Sequence, residues 1–138
     1  MPAKDLYHQS AKNALIKDGW TITHDPLHLK WGKRDMYVDL GAEKLIAAEK
    51  AGQRIAVEVK TFAGLSDMTD LEQALGQYLA YRSVITRTKS NRSLYLAVHD
   101  RVYVDIFDEP IAKLLVEDYN IQIIVFEPEQ EVILKWIP

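Results

Sequence analysis

The chain has 138 residues, of which 48% are hydrophobic and 27% charged, so we expect residues 1–138 to form one soluble domain with a single core. The absence of cysteine excludes disulfide bonds and thiolate metal sites, and the net charge of −3 argues against general coating of nucleic acid while allowing a local basic face. No apolar stretch approaches the length of a membrane span and the N-terminal residues lack a signal-peptide core, which favours a cytoplasmic protein.

The N-terminal half predicts one helix followed by several strands. In chain order the segments are a helix over residues 3–18, a strand over 20–23, a loop over 24–33, a strand that starts at 36–40, and hairpin arms over 44–49 and 54–62 around a turn at 50–53. Gly19 follows the helix at the position where glycine often ends one, and Gly52 marks the turn of the hairpin.

The C-terminal half alternates helices with apolar strands. Thr69 and Glu72 form a capping-box pattern that opens a helix extending to about residue 86. The segments after it are a strand over 94–98, a helical region over 101–118 that Pro110 interrupts, a strand over 121–126 and a final strand over 131–137. Antiparallel strands followed by helix–strand crossovers predict an α/β fold with a central mixed sheet flanked by helices.

A carboxylate and an ammonium group on the strand at residues 54–62 are candidates for chemistry. Apolar and polar residues alternate along this strand, so Glu58 and Lys60 project from the same face. With Asp39 as a second carboxylate, the set could hold Mg²⁺, which binds one or two carboxylates and keeps several waters. Acid, acid and lysine are the chemical minimum for metal-assisted phosphodiester hydrolysis, in which the lysine orients water or stabilises charge on the phosphate.

The second carboxylate has two candidates. A turn centred on Ala51 and Gly52 places Glu43 roughly opposite Lys60, with Asp39 further along its strand. Asp39 then reaches the site only if the strand bends, and Gly41 could provide that bend because glycine marks bulges and close backbone approaches. Both acids are therefore retained, with Asp39 preferred.

These residues form a pattern that resembles the signature of PD-(D/E)XK nucleases, the class with the fold of restriction endonucleases. YVDL at 37–40 and IAVEVKTF at 55–62 are similar to the aspartate and the Glu-x-Lys of that signature, although Val38 stands where proline is usual. The resemblance implies a restriction-endonuclease-like α-β-β-β-α-β core and a bound Mg²⁺ or Mn²⁺. The catalytic and metal-binding positions it implies are Asp39, Glu58, Val59 through its backbone carbonyl, and Lys60.

Over nearly its whole length the chain looks like a member of the XisH family. The similar segments are KNALIKDGWTITHDPL (12–27), YVDLGAEKLIAAEKAGQRIAVEVK (37–60), DLEQALGQYLAYRSV (70–84) and VFEPEQEVILKWIP (125–138). The resemblance implies a cyanobacterial factor that controls excision of the fdxN DNA element during heterocyst development. Its implied partners are DNA, an XisI-like protein and a site-specific recombinase, and a homodimer is compatible with this fold.

The resemblance extends to helix residues beside the site. Many nucleases of this fold direct a glutamate of the first helix toward the metal, and the matching region here offers Gln9, with His8 beside it. On the helix that starts near residue 69, Gln77 and Tyr81 resemble the glutamine–tyrosine motif of RecB-type members. Gln73, Gln77 and Tyr81 share one helix face because they are spaced four apart, a pattern that is equally typical of an ordinary amphipathic helix.

Two basic stretches are candidates for contact with DNA. One contains Lys30, Lys33 and Arg34, and the other begins at Arg82. Each is also typical of an ordinary solvated surface. Trp31, within the first stretch, is expected in the core or against a partner rather than stacked on bases.

Two functions are consistent with these patterns. The first is a Mg²⁺-dependent DNA endonuclease. The second is a non-catalytic accessory factor that binds DNA or a protein partner and regulates a recombinase, which the acidic balance of the chain and Gln9 in place of an acid favour. A defence nuclease paired with the product of a neighbouring gene is a third reading.

Overall fold

A computed structural model of the chain describes residues 7–46, 51–64, 66–89 and 91–138. The helices in these ranges are α1 (His8–Lys17), α2 (Asp67–Thr88), α3 (Asp100–Asp105) and α4 (Pro110–Tyr119). The strands are β1 (Thr21–His24), β2 (Leu27–Trp31), β3 (Arg34–Val38), β4 (Leu40–Ile46), β5 (Ala51–Val59), β6 (Arg92–His99), β7 (Ile123–Glu127) and β8 (Val132–Ile137). Residues 3–6 of the predicted first helix and 47–50 of the predicted hairpin lie outside the described residues. None of the described helices is long and apolar enough to cross a membrane.

Six strands form a mixed sheet in the order β1-β4-β5-β6-β7-β8, and β2 and β3 form a separate two-stranded ribbon. The central strands β5, β6 and β7 run parallel, whereas β1–β4, β4–β5 and β7–β8 pair antiparallel. Parallel neighbours need a crossover, which α2 supplies between β5 and β6, and α3 with α4 between β6 and β7. The predicted α/β fold with a central mixed sheet flanked by helices is therefore confirmed.

The two faces of the sheet carry separate parts of the core. One cluster lies under α1 and contains Ala11, Ala14, Leu15, Trp20, Leu40, Ala42, Ile55, Val57, Val59, Tyr95, Ala97, Ile124 and Phe126. The other face packs against α2, α3, α4 and the ribbon, and includes Ala56 of β5. Because side chains alternate along a strand, Glu58 and Lys60 continue the side of β5 that faces α2.

Helix ends follow local chemistry, with one correction to the prediction. The capping residue of α2 is Ser66, whose hydroxyl accepts a hydrogen bond of 3.2 Å from the amide of Thr69, so the helix starts before the predicted Thr69–Glu72 box. Pro110 begins α4, where its missing amide costs no helical hydrogen bond. Gly19, with a φ of +96°, follows α1 as predicted.

The segment predicted as a loop over residues 24–33 is instead largely strand. β2 pairs with β3 from Leu27–Val38 to Trp31–Arg34, and Gly32, with a φ of +60°, lies in the tight turn between them. Leu27 and Val38 are buried in the cluster that faces α2. The ribbon is thus held by packing on a helix that lies far away in sequence.

The register of β4 and β5 corrects the predicted hairpin. Gly52 pairs with Leu45 inside the strands, and the last pair toward the turn is Ile46 with Ala51, so the turn is not centred on residues 51 and 52. Glu43 consequently pairs with Arg54 and does not lie opposite Lys60.

The same register explains how Asp39 reaches β5. The pairing runs without interruption through Gly41 to Leu40–Val57, so one further step brings Asp39 opposite Glu58 and no bend is needed. Gly41 has a different use, because a Cβ there would lie 3.0 Å from His24 Nδ1 and 3.1 Å from a guanidinium nitrogen of Arg92. A side chain at this position would therefore require His24 or Arg92 to move by a few tenths of an ångström.

Candidate active site

A cluster of polar groups lies at the carboxyl end of β5. Glu58 and Val59 are the last residues of the strand and Lys60 follows them directly. β5 is parallel to β6, and the carboxyl ends of parallel strands are the usual position of ligand sites in open α/β sheets. The cluster therefore occupies the part of the fold where chemistry is most often found.

Asp39 and Glu58 join the ends of β4 and β5. The amide of Val59 donates a hydrogen bond of 2.7 Å to Asp39 Oδ2, and the amide of Asp39 donates one of 3.2 Å to Glu58 Oε1. Beyond the last backbone pair of β4 and β5, these two carboxylates thus accept hydrogen bonds from the amides of the neighbouring segment. Because the amide and the carbonyl of a strand residue point to the same side, the Val59 carbonyl faces the side of Asp39.

Glu58 is buried, with only 5% of its surface exposed, and its Oε2 lies 3.4 Å from Lys60 Nζ. Burial, followed by the negative charge of Asp39, raises the pKa of Glu58 to about 8 against the opposing charge of Lys60. Two carboxylates and one ammonium leave an excess negative charge when both acids are ionised. Such a site gains from a bound cation.

His8 is a site residue that the sequence prediction did not select. It is buried, its Nε2 lies 2.8 Å from Asp25 Oδ1, and Lys12 Nζ lies 2.8 Å from Asp25 Oδ2. Burial alone would raise the pKa of Asp25, but the hydrogen bonds from Lys12 and His8 lower it. The His8–Asp25 contact fixes the orientation of the imidazole.

The other ring nitrogen of His8 faces the acids. His8 Nδ1 lies 3.8 Å from Asp39 Oδ1, and it is buried with no hydrogen-bond partner in the described part of the chain. A buried polar atom without a partner normally needs a water, an ion or a functional role to explain it. The signal for His8 was its place on the same helix face as the buried residues Ala11 and Leu15.

The predicted auxiliary residues of α2 border the site. A cavity of about 240 Å³ beside Lys60 is lined by Lys60, Thr61, Phe62, Ala63, Asp70, Gln73, Ala74 and Gln77. Tyr81 is half-buried, and burial, then the charges of Glu58 and Asp39, raise the pKa of its phenol to about 12. The helix face predicted from the four-residue spacing is therefore turned toward Glu58 and Lys60.

Three predicted residues lie elsewhere or are engaged in the fold. Gln9 is exposed and donates a hydrogen bond of 2.9 Å to Asn13, so it does not face the acids. Glu43 lies further along β4, with its carboxylate 3.3 Å from Arg54 Nε. The guanidinium of Arg82 donates to the carbonyls of Tyr119 and Asn120 at 2.6 and 3.1 Å, which ties α2 to the end of α4.

The remaining basic candidates lie together on the ribbon. Lys30 is the next-to-last residue of β2, Lys33 is in the turn and Arg34 begins β3, and all three are exposed. The ribbon leads directly into Asp39, so these residues and the first of the two acids are parts of one continuous segment.

The donor set fits a hard divalent cation that keeps part of its water. Among the residues that the structure describes, no three histidine, aspartate or glutamate side chains are grouped so as to hold a metal by themselves. Asp39, Glu58 and the Val59 carbonyl offer oxygen donors, and Mg²⁺ needs only one or two carboxylates besides water and phosphate. The raised pKa of Glu58 also indicates that ionising both acids is costly without a counter-charge.

Fold and cluster together define a mixed α/β protein with an acid–acid–lysine site at the end of a central strand. The family model described as XisH protein matches residues 1–134, so the chain belongs to the XisH family, as its sequence pattern predicted.

Two crystal structures resemble this chain along its length. One is of an XisH family protein from Nostoc punctiforme PCC 73102, with 37% identity, a TM-score of 0.88, and coverage of 97% of this chain and 100% of that chain. The other is of a fdxN element excision controlling factor protein from Anabaena variabilis, with 37% identity, a TM-score of 0.87, and coverage of 98% and 100%. No curated protein shows a significant match.

Proposed function

We propose that this protein is a restriction-endonuclease-like hydrolase that cleaves phosphodiester bonds in DNA with Mg²⁺ or Mn²⁺. The observation that carries the proposal is the arrangement at the end of β5, where the Val59 amide donates to the Asp39 carboxylate, the Asp39 amide donates to the Glu58 carboxylate, and Lys60 lies 3.4 Å from Glu58. Asp39 on one strand end and Glu-x-Lys on the next agree with the order of the PD-(D/E)XK signature. His8, Gln77 and Tyr81 add polar groups around this set.

The chain's own residues have distinct parts in the proposed reaction. Asp39, Glu58 and the Val59 carbonyl would hold the cation, which when bound supplies Lewis-acid polarisation of the phosphate and a more acidic water. The Lys60 ammonium orients the attacking water or stabilises the negative charge that develops on the phosphate. Burial raises the pKa of Glu58 to about 8, so a bound cation would favour the ionised form of this acid.

DNA is the proposed substrate because of the name of the Anabaena relative, a controlling factor for excision of the fdxN element. Excision of a DNA segment requires cleavage of phosphodiester bonds. The proposed setting is programmed DNA rearrangement in the cytoplasm during heterocyst development, with an XisI-like protein and a site-specific recombinase as partners. The exposed Lys30, Lys33 and Arg34 are the proposed contacts to phosphate.

Cleavage of supercoiled, linear and branched DNA by the purified protein tests this function, with Mg²⁺, with Mn²⁺ and with EDTA. We expect cleavage that needs the cation and that falls about 100-fold or more in Lys60→Ala and Asp39→Ala. Glu43→Ala is the matched control, because this acid is on β4, which Asp39 directly precedes, but pairs with Arg54. Cleavage that survives both site substitutions would come from a contaminant, and the site assignment would fail.

A second candidate function is a non-catalytic accessory factor that binds DNA or an XisI-like protein and regulates a recombinase. The observation that favours it is the ion pair of Lys60 with Glu58, which offsets one of the two carboxylate charges at the site, together with the word "controlling" in the relative's name. This function predicts no cleavage under any cation, and co-purification with an XisI-like protein that Glu58→Ala retains. Loss of both DNA and protein binding would exclude it.

A further inference from the structure

The tip of the β2–β3 ribbon carries a concentration of positive charge that the fold does not use. Within the described ranges, no ion pair involves Lys30, Lys33 or Arg34. Asp35, the acid of the ribbon, is held by His28 at 2.8 Å. In a chain whose net charge is −3, three exposed cations on one short ribbon form a local attraction for polyanions.

An exposed tryptophan stands among these cations. Trp31 has 52% of its surface exposed, whereas Trp20 is buried and Trp136 packs against Trp20 and Tyr95. Trp31 borders a cavity of about 330 Å³ together with Ser83, Val84 and Arg87 of α2. A half-exposed aromatic ring beside an open cavity offers a stacking surface.

Arg87 adds a fourth cation, in the lining of the same cavity. Its guanidinium has one long hydrogen bond of 3.4 Å to the carbonyl of Ser83, and the residue is exposed. The cavity therefore has an indole and a guanidinium in its lining, and Arg34, which pairs with Trp31 across the ribbon, lies next to it in the fold. Exposed aromatic rings interleaved with cations are the pattern of surfaces that bind single-stranded nucleic acid, where bases stack and phosphates are neutralised.

We propose that the cavity between Trp31 and Arg87 is a subsite for an unpaired base of nucleic acid, with Lys30, Lys33 and Arg34 on the adjoining phosphates. The subsite rests on the proposed function, because its use depends on its distance from the proposed cleavage site at Asp39 and Glu58. β3 leads from Arg34 to Asp39, roughly 16 Å at ~3.3 Å per residue, which is about five nucleotide steps of a stacked strand. The substrate class is thus DNA with unpaired bases near the cleaved bond, such as a branch or a frayed end.

Binding in EDTA tests the subsite independently of cleavage. The probes are a short fluorescein-labelled single strand of mixed sequence and the blunt duplex of the same length, followed by fluorescence anisotropy. We expect the wild-type protein to bind the single strand more tightly than the duplex, and Trp31→Ala to weaken single-strand binding about tenfold. Trp31→Phe keeps a stacking ring and should retain most of the affinity. Leu134→Ala, which removes another exposed apolar side chain on β8, is the matched control and should bind as the wild type.

The salt dependence separates phosphate contacts from stacking. Changing Lys30, Lys33 and Arg34 together to glutamine should reduce the slope of log affinity against log salt by about 2, because each lost phosphate contact on a single strand contributes ~0.7. Trp31→Ala should leave that slope unchanged. A thermal unfolding midpoint of Trp31→Ala and of the triple variant within a few degrees of the wild-type value shows that a loss of binding does not come from unfolding.

Three results would overturn the subsite: no binding of the single strand by the wild-type protein, equal affinity of Trp31→Ala and wild type, or an unchanged salt slope in the triple variant. The last two would instead assign the ribbon to a protein partner or to solvent. Failure of the proposed function would give a different result from failure of the subsite. A protein that binds the single strand through Trp31 but cleaves no DNA with any cation retains the subsite and loses the nuclease activity.

Discussion

Glu58→Gln removes a carboxyl group that folding makes costly to ionise. In the wild type, folding raises the pKa of Glu58 from an ordinary 4.5 to about 8. At ~1.36 kcal/mol per tenfold change in proton affinity, ionising Glu58 therefore costs the folded state roughly 5 kcal/mol more than the unfolded state. Because the folded pKa lies above the unfolded one, the contribution to stability is fully present below about pH 4.5. It is lost as the pH rises toward and through about 8.

Urea unfolding of the cation-free protein at a series of pH values between 5 and 9 measures this effect. We expect the free energy of unfolding of the wild type to fall by roughly 4 kcal/mol over this range relative to Glu58→Gln, because the loss between pH 4.5 and 5 lies below the titrated interval. Glu43→Gln is the matched control, because that carboxylate is at the surface beside Arg54 and its curve should run parallel to the wild type. Parallel curves for wild type and Glu58→Gln would refute the reasoning that burial and Asp39 hold a proton on Glu58.

Three further variants test other parts of the account. Ser66→Ala should lower the free energy of unfolding by about 1 kcal/mol in urea titrations, because it removes the cap that accepts from the Thr69 amide, and an unchanged midpoint would contradict that role. Asp39→Asn should lower the pKa of Glu58, since it removes a negative charge, and carboxyl resonances followed by NMR over pH would show it. His8→Ala should weaken Mn²⁺ binding about tenfold or more in calorimetry through loss of a group that faces Asp39, and unaltered affinity would make His8 purely structural.

Periodicity was sufficient for the part of the site that lies on one strand. Glu58 and Lys60 are two apart on an alternating strand, and the 3.4 Å ion pair shows that they do project together. The same reasoning placed Gln73, Gln77 and Tyr81 on one face of α2. These relations depend only on local geometry, which the sequence encodes directly.

Relations between segments were harder to predict. Gly52 suggested a turn, but it lies within β5, and the register is set by the apolar residues that both strands bury. The ribbon was predicted as a loop, yet packing of Leu27 and Val38 in the cluster that faces α2 holds it as two strands. Tertiary burial decided both cases.

His8 shows the limit of transferring a motif by position. Gln9 was selected because it matches the region where related nucleases carry an acid, but the helix turns Gln9 to solvent and His8 to Asp39. One position in a helix rotates a side chain by about 100°, so the choice depends on which face is buried. The buried stripe of Ala11 and Leu15 was the better guide.

The central claim is that Asp39 and Glu58 form a cation site. Anomalous diffraction from crystals of this protein soaked in manganese chloride tests it most directly, with Asp39→Asn crystals as the control. The account predicts one anomalous peak in contact with carboxylate oxygens of both acids and near the Val59 carbonyl, and its loss in the control. Manganese bound only elsewhere, or an empty site at a concentration that saturates other positions, would contradict the account.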